Sequence, residues 1–292
     1  MVRAYKPDSL REALEIVSRE KCIILAGGTD LMVKKKHWPI MENEFDKIVL
    51  FLSDLKELKE IRKEKGSDKE RNNDEDILNI GATCTCSQII ESKLVPDFLK
   101  GVFLNMASPA IRNIATIGGN ICNSSPAGDS LPMLYAMDAL LILENLDGNR
   151  EIHIEDFITG PGKNVMRRDE ILTQIKIPLK NFDVKVYKKV GTRRAVALSK
   201  LSFIGLSDTK ESKLTDIRIA FGAVGPTVVR SRDAENEIIK MCAQSMLDIK
   251  KIRIIYEGLI KPIDDQRSTA FYRSEVCLRL IEDFLLNKIS VG

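Results

Sequence analysis

Thr116-Ile117-Gly118-Gly119-Asn120-Ile121-Cys122-Asn123, and about 90 residues earlier Leu25-Ala26-Gly27-Gly28-Thr29-Asp30-Leu31, decide how this chain reads. Each places a Gly-Gly pair just past an apolar or β-branched run and follows it with small polar side chains. Glycine backbone reaches φ > 0 and approaches a ligand closely, and successive free N–H groups form a concave anion site. Two such loops imply a ligand with more than one polar section, gripped from two sides, such as a dinucleotide. The first loop lacks the Gly-Lys-Ser/Thr ending of a P-loop, and no G-x-G-x-x-G fingerprint is present. Gly27, Gly28 and Thr29 can still present successive N–H groups, with the Thr29 hydroxyl as a further donor; a plain strand-to-helix turn is the alternative. In the second loop Thr116 supplies a hydroxyl, Gly118 and Gly119 exposed backbone, and Asn120 an amide. Asp129, nine residues beyond Asn120, offers a carboxylate suited to a sugar or polyol hydroxyl.

Working outward, Asp8 and Ser9 cap a helix whose apolar residues Leu10, Ala13, Leu14 and Val17 recur at helical spacing. Residues 22–26 and 47–52 read as buried strands, with a short helix beginning at Leu31, so the first segment is a small α/β unit. The wholly polar run 64–76 reads as a solvated hairpin loop between strands at 58–61 and 77–80. Helices are expected at 87–91 and 98–106, a long loop over 108–132, and a helix over 131–137. The Asp147-Gly148 turn joins a hairpin of 139–144 and 151–154, and 171–178 closes the region as a strand. Beyond Pro178 the pattern changes to antiparallel strands at 184–190, 197–205 and 214–224, followed by helical periodicity over 233–239, 245–256 and 268–287. The expected division is therefore 1–178 (subdomains about 1–56 and 57–178) and 179–292.

Composition excludes several classes. The 292 residues are 44% apolar and 30% charged, enough for a sizeable core, and a net charge of +3 with interspersed signs leaves no nucleic-acid footprint. No signal peptide or membrane span is legible, so the expected location is cytoplasmic, with no membrane partner. The six cysteines, at 22, 84, 86, 122, 242 and 277, fit neither a disulfide framework nor a zinc or iron–sulfur spacing. Cys84 and Cys86 read as alternating positions at a strand end, and no metal site is expected. His37 and His153 are the only histidines, and neither has an evident nucleophile. Few acids, bases or nucleophiles beside a cofactor cradle point to redox chemistry owned by the cofactor.

The two glycine loops, with Ser125-Pro126-Ala127-Gly128-Asp129, Thr159-Gly160-Pro161-Gly162-Lys163, Tyr187-Lys188-Lys189-Val190-Gly191-Thr192-Arg193, Ala220–Thr227 and Asp264–Arg273, resemble the FAD-binding flavoprotein (medium) subunit of molybdenum hydroxylases, the xanthine dehydrogenase and carbon monoxide dehydrogenase family. The matches run in register from about residue 3 to 285. The resemblance implies an α+β fold: a PCMH-type FAD-binding domain of two α/β subdomains, then an antiparallel sheet plus helical bundle. It places Ile23, Ile24, Leu25, Ala26, Gly27, Gly28, Thr29 and Asp30, with Thr116, Ile117, Gly118, Gly119 and Asn120, along the pyrophosphate and adenosine of FAD. Asp129 would hold a ribose or ribityl hydroxyl, Ile171 and Leu172 would reach the flavin, and Met106 would lie near the adenine. Tyr187 would pack near the isoalloxazine and Lys188 would approach it.

Some members carry an inserted cysteine-bearing loop for an additional iron–sulfur cluster, which this sequence lacks, so FAD is expected as the only redox centre. The molybdopterin-binding large subunit and a [2Fe–2S] small subunit are expected on separate chains, with NAD⁺ or another agent as acceptor. The leading expectation is an electron-transfer subunit of a xanthine dehydrogenase-like enzyme. Other heteroaromatic, aldehyde or CO dehydrogenases are the alternative. A self-contained flavin oxidase and a flavin-free assembly module are the remaining rivals.

Overall fold

The computed structural model describes residues 3–34, 48–66, 75–193 and 196–289. Packing separates two compact units, Met1–Ser124 with Ala139–Leu179, and Ser125–Asp138 with Lys180–Gly292. His37 and the centre of the polar run 64–76 lie outside the described residues.

The first unit begins with β1 (Ala4–Tyr5), α1 (Leu10–Arg19), β2 (Cys22–Leu25), α2 (Leu31–Lys34) and β3 (Ile48–Phe51). The strands form a parallel sheet in the order β1-β3-β2. Helix α1 starts where the Glu12 N–H donates to the Ser9 hydroxyl, and it buries Ala13, Leu14 and Val17 against Leu50 and Leu52. Each large side chain so buried contributes ~1.5–3 kcal/mol. The parallel register from Cys22↔Ile48 to Leu25↔Phe51 delivers the chain into the first glycine loop.

The unit continues through β4 (Ile61–Lys65), β5 (Asp76–Gly81), α3 (Cys86–Glu91), α4 (Asp97–Leu104), α5 (Pro109–Arg112) and α6 (Ile117–Cys122). The chain passes to the second unit for α7 (Leu131–Ala136), then returns as β6 (Leu140–Asn145), β7 (Gly148–His153), α8 (Ile154–Phe157), β8 (Ile158–Gly160), β9 (Lys163–Asn164) and β10 (Ile171–Pro178). An antiparallel sheet, β4-β5-β10-β6-β7, forms the body, with the expected hairpin present as β6 and β7.

Three local expectations are corrected. The strand read at 58–61 is instead a 3₁₀ turn over Lys56–Leu58 followed by β4. Leu58 turns into the core, and its carbonyl accepts the Thr83 N–H and hydroxyl, both at 2.9 Å, so pairing starts later. β4 is then a charged edge strand, which suits an edge that must not recruit another chain. Cys84 and Cys86 do not alternate on a strand: Thr85 and Gln88 form a capping box, and Cys86 opens α3. The long loop over 108–132 contains two short helices. Ser108 caps α5, which has proline in its first turn, and Thr116 caps α6. The caps and close packing offset the low helix propensity of Gly118-Gly119.

In the second unit β11 (Val184–Val190), β12 (Leu201–Lys210), β13 (Lys213–Gly222) and β14 (Val229–Arg230) form an antiparallel sheet. β12 begins at Leu201, so residues 197–200 precede the strand that the sequence placed at 197–205. Helices α9 (Arg232–Ala243), α10 (Ile249–Leu259) and α11 (Ala270–Asp283) follow. Leu201, Phe203, Ile217, Ile219 and Phe221 join the helices in one core, where the Phe203 ring lies tilted 5.0 Å from Phe221 and edge-on 5.8 Å from Phe284. The alternate residues face α7: Arg218 donates to the Ala136 carbonyl at 2.9 Å, and Gly222 packs on Pro132. The carboxylate of Asp138 is held by Arg218, Arg230 and Arg232 at 2.9, 2.5 and 2.8 Å. These contacts build Ser125–Asp138 into the second unit.

Candidate cofactor site

The first unit contains a cavity of about 510 Å³, within the ~300–1,000 Å³ of typical ligand sites. Its walls are the loop after β2, the start of α6 and the start of β10. Two glycines create it by letting backbones touch. A Cβ on Gly27 would sit 2.1 Å from the Ile114 carbonyl oxygen, and one on Gly118 would sit 2.6 Å from that of Ala82. The first contact binds the two glycine segments to each other, and the second seats α6 against the end of β5.

Of the residues singled out in the sequence, Ile24, Leu25, Ala26, Gly27, Gly28, Thr29 and Asp30 line this cavity. Met106, Thr116, Gly118, Gly119, Asn120, Ile171 and Leu172 line it as well. Ile23 alternates to the other side of β2 from Cys22 and Ile24, and Ile117 is fully buried in the core.

The two glycine segments do different work. The N–H groups of Gly27, Gly28, Thr29 and Asp30 donate to no described residue, which leaves a run of donors at the cavity wall. The backbone of the second segment is not free, contrary to the sequence reading. Ile117 donates to the Cys84 carbonyl at 3.1 Å, Gly118 to that of Ala82 at 2.8 Å and Asn120 to that of Thr116 at 3.0 Å. Gly119 donates to the Thr116 hydroxyl at 3.1 Å. α6 therefore contributes shape and close approach, while the anion donors come from the first loop.

Charge along the cavity favours an anion. Lys21, Lys34, Arg167 and Arg168 line it against Asp30 and Glu170. Lys34, unread in the sequence, clasps Asp30 at 2.7 Å and the Asn123 side chain at 2.5 Å, joining α2 to the end of α6. Its spacing of four residues from Asp30 was the available signal. Glu170, also unread in the sequence, is buried and gripped by Arg150 at 2.7 and 2.9 Å and by the Arg167 N–H at 2.7 Å. Burial alone pushes its carboxyl up, but the Arg150 and backbone bonds outweigh that and leave it lowered. This pair sets the wall from Met166 to Leu172. Cys22 and Cys122 also line the cavity; burial pushes Cys122 up to about 12, and burial with Glu20 raises Cys22.

Asp129, Tyr187 and Lys188 belong to the second unit. Asp129 is buried, paired with Lys189 at 2.7 Å and bonded by the Ser199 hydroxyl. Tyr187 pairs with Ile204, and Lys188 with Phe203, so the two face opposite sides of the sheet. Tyr187 shares its face with Lys189. Its hydroxyl is buried without a partner, and burial followed by the Asp129 charge raises its pKa.

Backbone donors, an excess of cations and an apolar Ile171-Leu172 wall together fit a ligand with a pyrophosphate and flat apolar parts. Residues 1–180 match the FAD binding domain in molybdopterin dehydrogenase. The chain belongs to that family. Residues 185–288 match the CO dehydrogenase flavoprotein C-terminal domain. The putative xanthine dehydrogenase FAD-binding subunit of Escherichia coli K12 is 28% identical over 98% of this chain and 94% of its own length. The nicotinate dehydrogenase FAD-subunit of Eubacterium barkeri is 31% identical over 67% of this chain and 64% of its own. A chain of the reconstituted CO dehydrogenase from Oligotropha carboxidovorans has the same fold, with a TM-score of 0.83 at 21% identity, covering 100% of this chain and 99% of that one. This protein is thus an FAD-binding flavoprotein of the molybdenum hydroxylase family, with the α+β architecture expected. No helix among its described residues is long and apolar enough to cross a membrane.

Proposed function

We propose that the chain is the electron-relay subunit of a molybdenum hydroxylase, most closely of the xanthine dehydrogenase kind. It would take electrons from iron–sulfur clusters on a partner chain and pass them to NAD⁺ or another acceptor. FAD, when bound, supplies the electron and hydride chemistry. The observation that carries the reading is the cavity in the first unit, with its unpartnered N–H run over Gly27–Asp30 and its cationic lining.

In this reading the N–H groups of Gly27 to Asp30 hold the pyrophosphate, helped by the Lys21 and Arg168 charges. Thr116 and Asn120 border the adenosine with Met106 beside it, while Ile171 and Leu172 exclude water from one side of the flavin. Substrate oxidation belongs to a molybdopterin-binding subunit on another chain, with a [2Fe–2S] subunit between, and the assembly works in the cytoplasm. The homologous xanthine and nicotinate dehydrogenase subunits favour an N-heteroaromatic substrate for the complex.

Reconstitution of the full chain with FAD tests the reading: flavin absorbance should be retained through gel filtration at one flavin per chain. Rapid reduction of that flavin by NADH would support a nicotinamide acceptor. A chain that retains no flavin would overturn the proposal.

A further inference from the structure

The donor run over Gly27–Asp30 is anchored at its two ends by different means. Its near end is fixed by backbone, where Gly27 packs on the Ile114 carbonyl. Its far end is joined to α6 through a side chain. Lys34 Nζ stands 2.7 Å from an Asp30 carboxylate oxygen and 2.5 Å from the Asn123 side-chain oxygen, and all three residues line the cavity. Asn123 is in turn a fixed post, because the hairpin of β8 and β9 braces the end of α6. The Gly162 N–H donates to the Ser124 carbonyl at 2.9 Å, and the Asn164 amide donates to the Cys122 carbonyl at 3.0 Å. The Thr159–Lys163 stretch, prominent in the sequence, thereby acquires a task in the first unit.

The Lys34 and Asp30 side chains are 58% and 51% exposed, and an ion pair so open to water adds little to stability. Its placement matters more than its energy. The Asp30 carboxylate ends a run of N–H donors suited to an anion, and an uncancelled negative charge there would repel that anion. The Lys34 ammonium cancels it, and its second contact spans to a segment 89 residues away in the chain.

We propose that Lys34 is a positioning residue for the cofactor. By tying Asp30 to Asn123 it holds the far end of the donor run against α6, and it cancels the one carboxylate in that run. The inference rests on the reading that this cavity takes the pyrophosphate of FAD. Lys34 acts through Asp30 and Asn123 and makes no claim on the reacting atoms.

The test uses the full chain, with FAD affinity and release rate read from flavin fluorescence and melting followed on the FAD-free chain. Lys34→Met keeps the stem and loses the charge. It should weaken FAD binding and speed release by about 3- to 10-fold, the range of an exposed charge-assisted contact. FAD-free melting should barely move. Asn123→Ala loses the tether but leaves Asp30 neutralised, so it should speed release by a smaller factor. The double variant K34M/N123A should bind FAD no more weakly than Lys34→Met alone. The double variant D30N/K34M removes the uncancelled carboxylate and should recover part of the lost affinity. Unchanged release in Asn123→Ala, or no recovery in D30N/K34M, would mean that Lys34 acts on the ligand directly and would overturn the inference. A Lys34→Met chain whose FAD-free melting falls by several degrees would make the contact merely structural and overturn it as well. A wild-type chain that takes up no FAD is a different result, and would remove the functional reading itself.

Discussion

Replacing Gly27 by alanine tests how the cofactor site is built. Its Cβ would lie 2.1 Å from the Ile114 carbonyl oxygen, 2.9 Å from that carbonyl carbon and 3.0 Å from the Ala115 Cα. A comfortable C···O contact is ~3.3 Å, so the two segments must separate by about 1 Å. All three neighbours are backbone, and no side chain can turn aside. Overpacking strain costs ~1–3 kcal/mol, and backbone against backbone belongs at the upper end. At ~2–4 °C per kcal/mol, the melting temperature of the first unit should fall by ~6–12 °C. The same displacement misaligns the N–H run of Gly27 to Asp30, and each 1.4 kcal/mol of lost interaction weakens FAD about tenfold. Gly101→Ala is the control, because nothing lies within 4 Å of its Cβ in the middle of α4. That change should stabilise by ~0.5–1 kcal/mol and leave FAD binding alone. Thermal melts and FAD titrations of both variants decide the matter. A Gly27→Ala chain with wild-type melting and affinity would refute the backbone contact; a destabilised one that binds FAD normally would refute the donor role of the loop.

The remaining predictions concern charge and thiols. Burial pushes the Asp138 carboxyl up, but Arg230, Arg218 and Arg232 more than reverse this and leave it lowered. A lowered folded pKa adds stability above the unfolded value of ~3.9 that is lost as pH falls through the folded value. Asp138→Asn keeps a residue suited to the positive φ of 53°, and should cost about 3 kcal/mol at pH 7. Urea melts should then show a flatter loss of second-unit stability below pH 4 than in the wild type. With its thiol pushed up to about 12, Cys122 should resist iodoacetamide at pH 8 until the chain unfolds. Cys22 should label in the folded chain and be protected by FAD, since it lines the same cavity.

Much of the fold is legible because local signals and burial agree. The Ser9 cap with its 3–4 apolar spacing gives α1, and Asp147-Gly148 gives the β6–β7 hairpin, with no tertiary information needed. Legibility fails where tertiary contacts override local preference. Gly118-Gly119 argues against a helix, yet Thr116 capping and the seat on Ala82 make one. The apolar Leu58 looks like strand but serves as a turn whose carbonyl holds Thr83. At the site, the glycine loops were readable by composition, whereas the division of labour between them depends on which N–H groups find partners. Glu170–Arg150 and Asp129–Lys189 are separated by 20 and 60 residues, and no spacing rule connects such pairs. The opposite facing of Tyr187 and Lys188 follows from strand alternation once β11 is placed.

The central claim is that this chain holds a relay flavin and leaves substrate chemistry to a partner. Its most direct test follows the visible flavin absorbance of the FAD-loaded full chain under anaerobic conditions, after addition of xanthine or nicotinate and then of dithionite. The account predicts no bleaching by either heteroaromatic compound and full bleaching by dithionite. Bleaching by xanthine or nicotinate alone, at a rate that grows with its concentration, would contradict it.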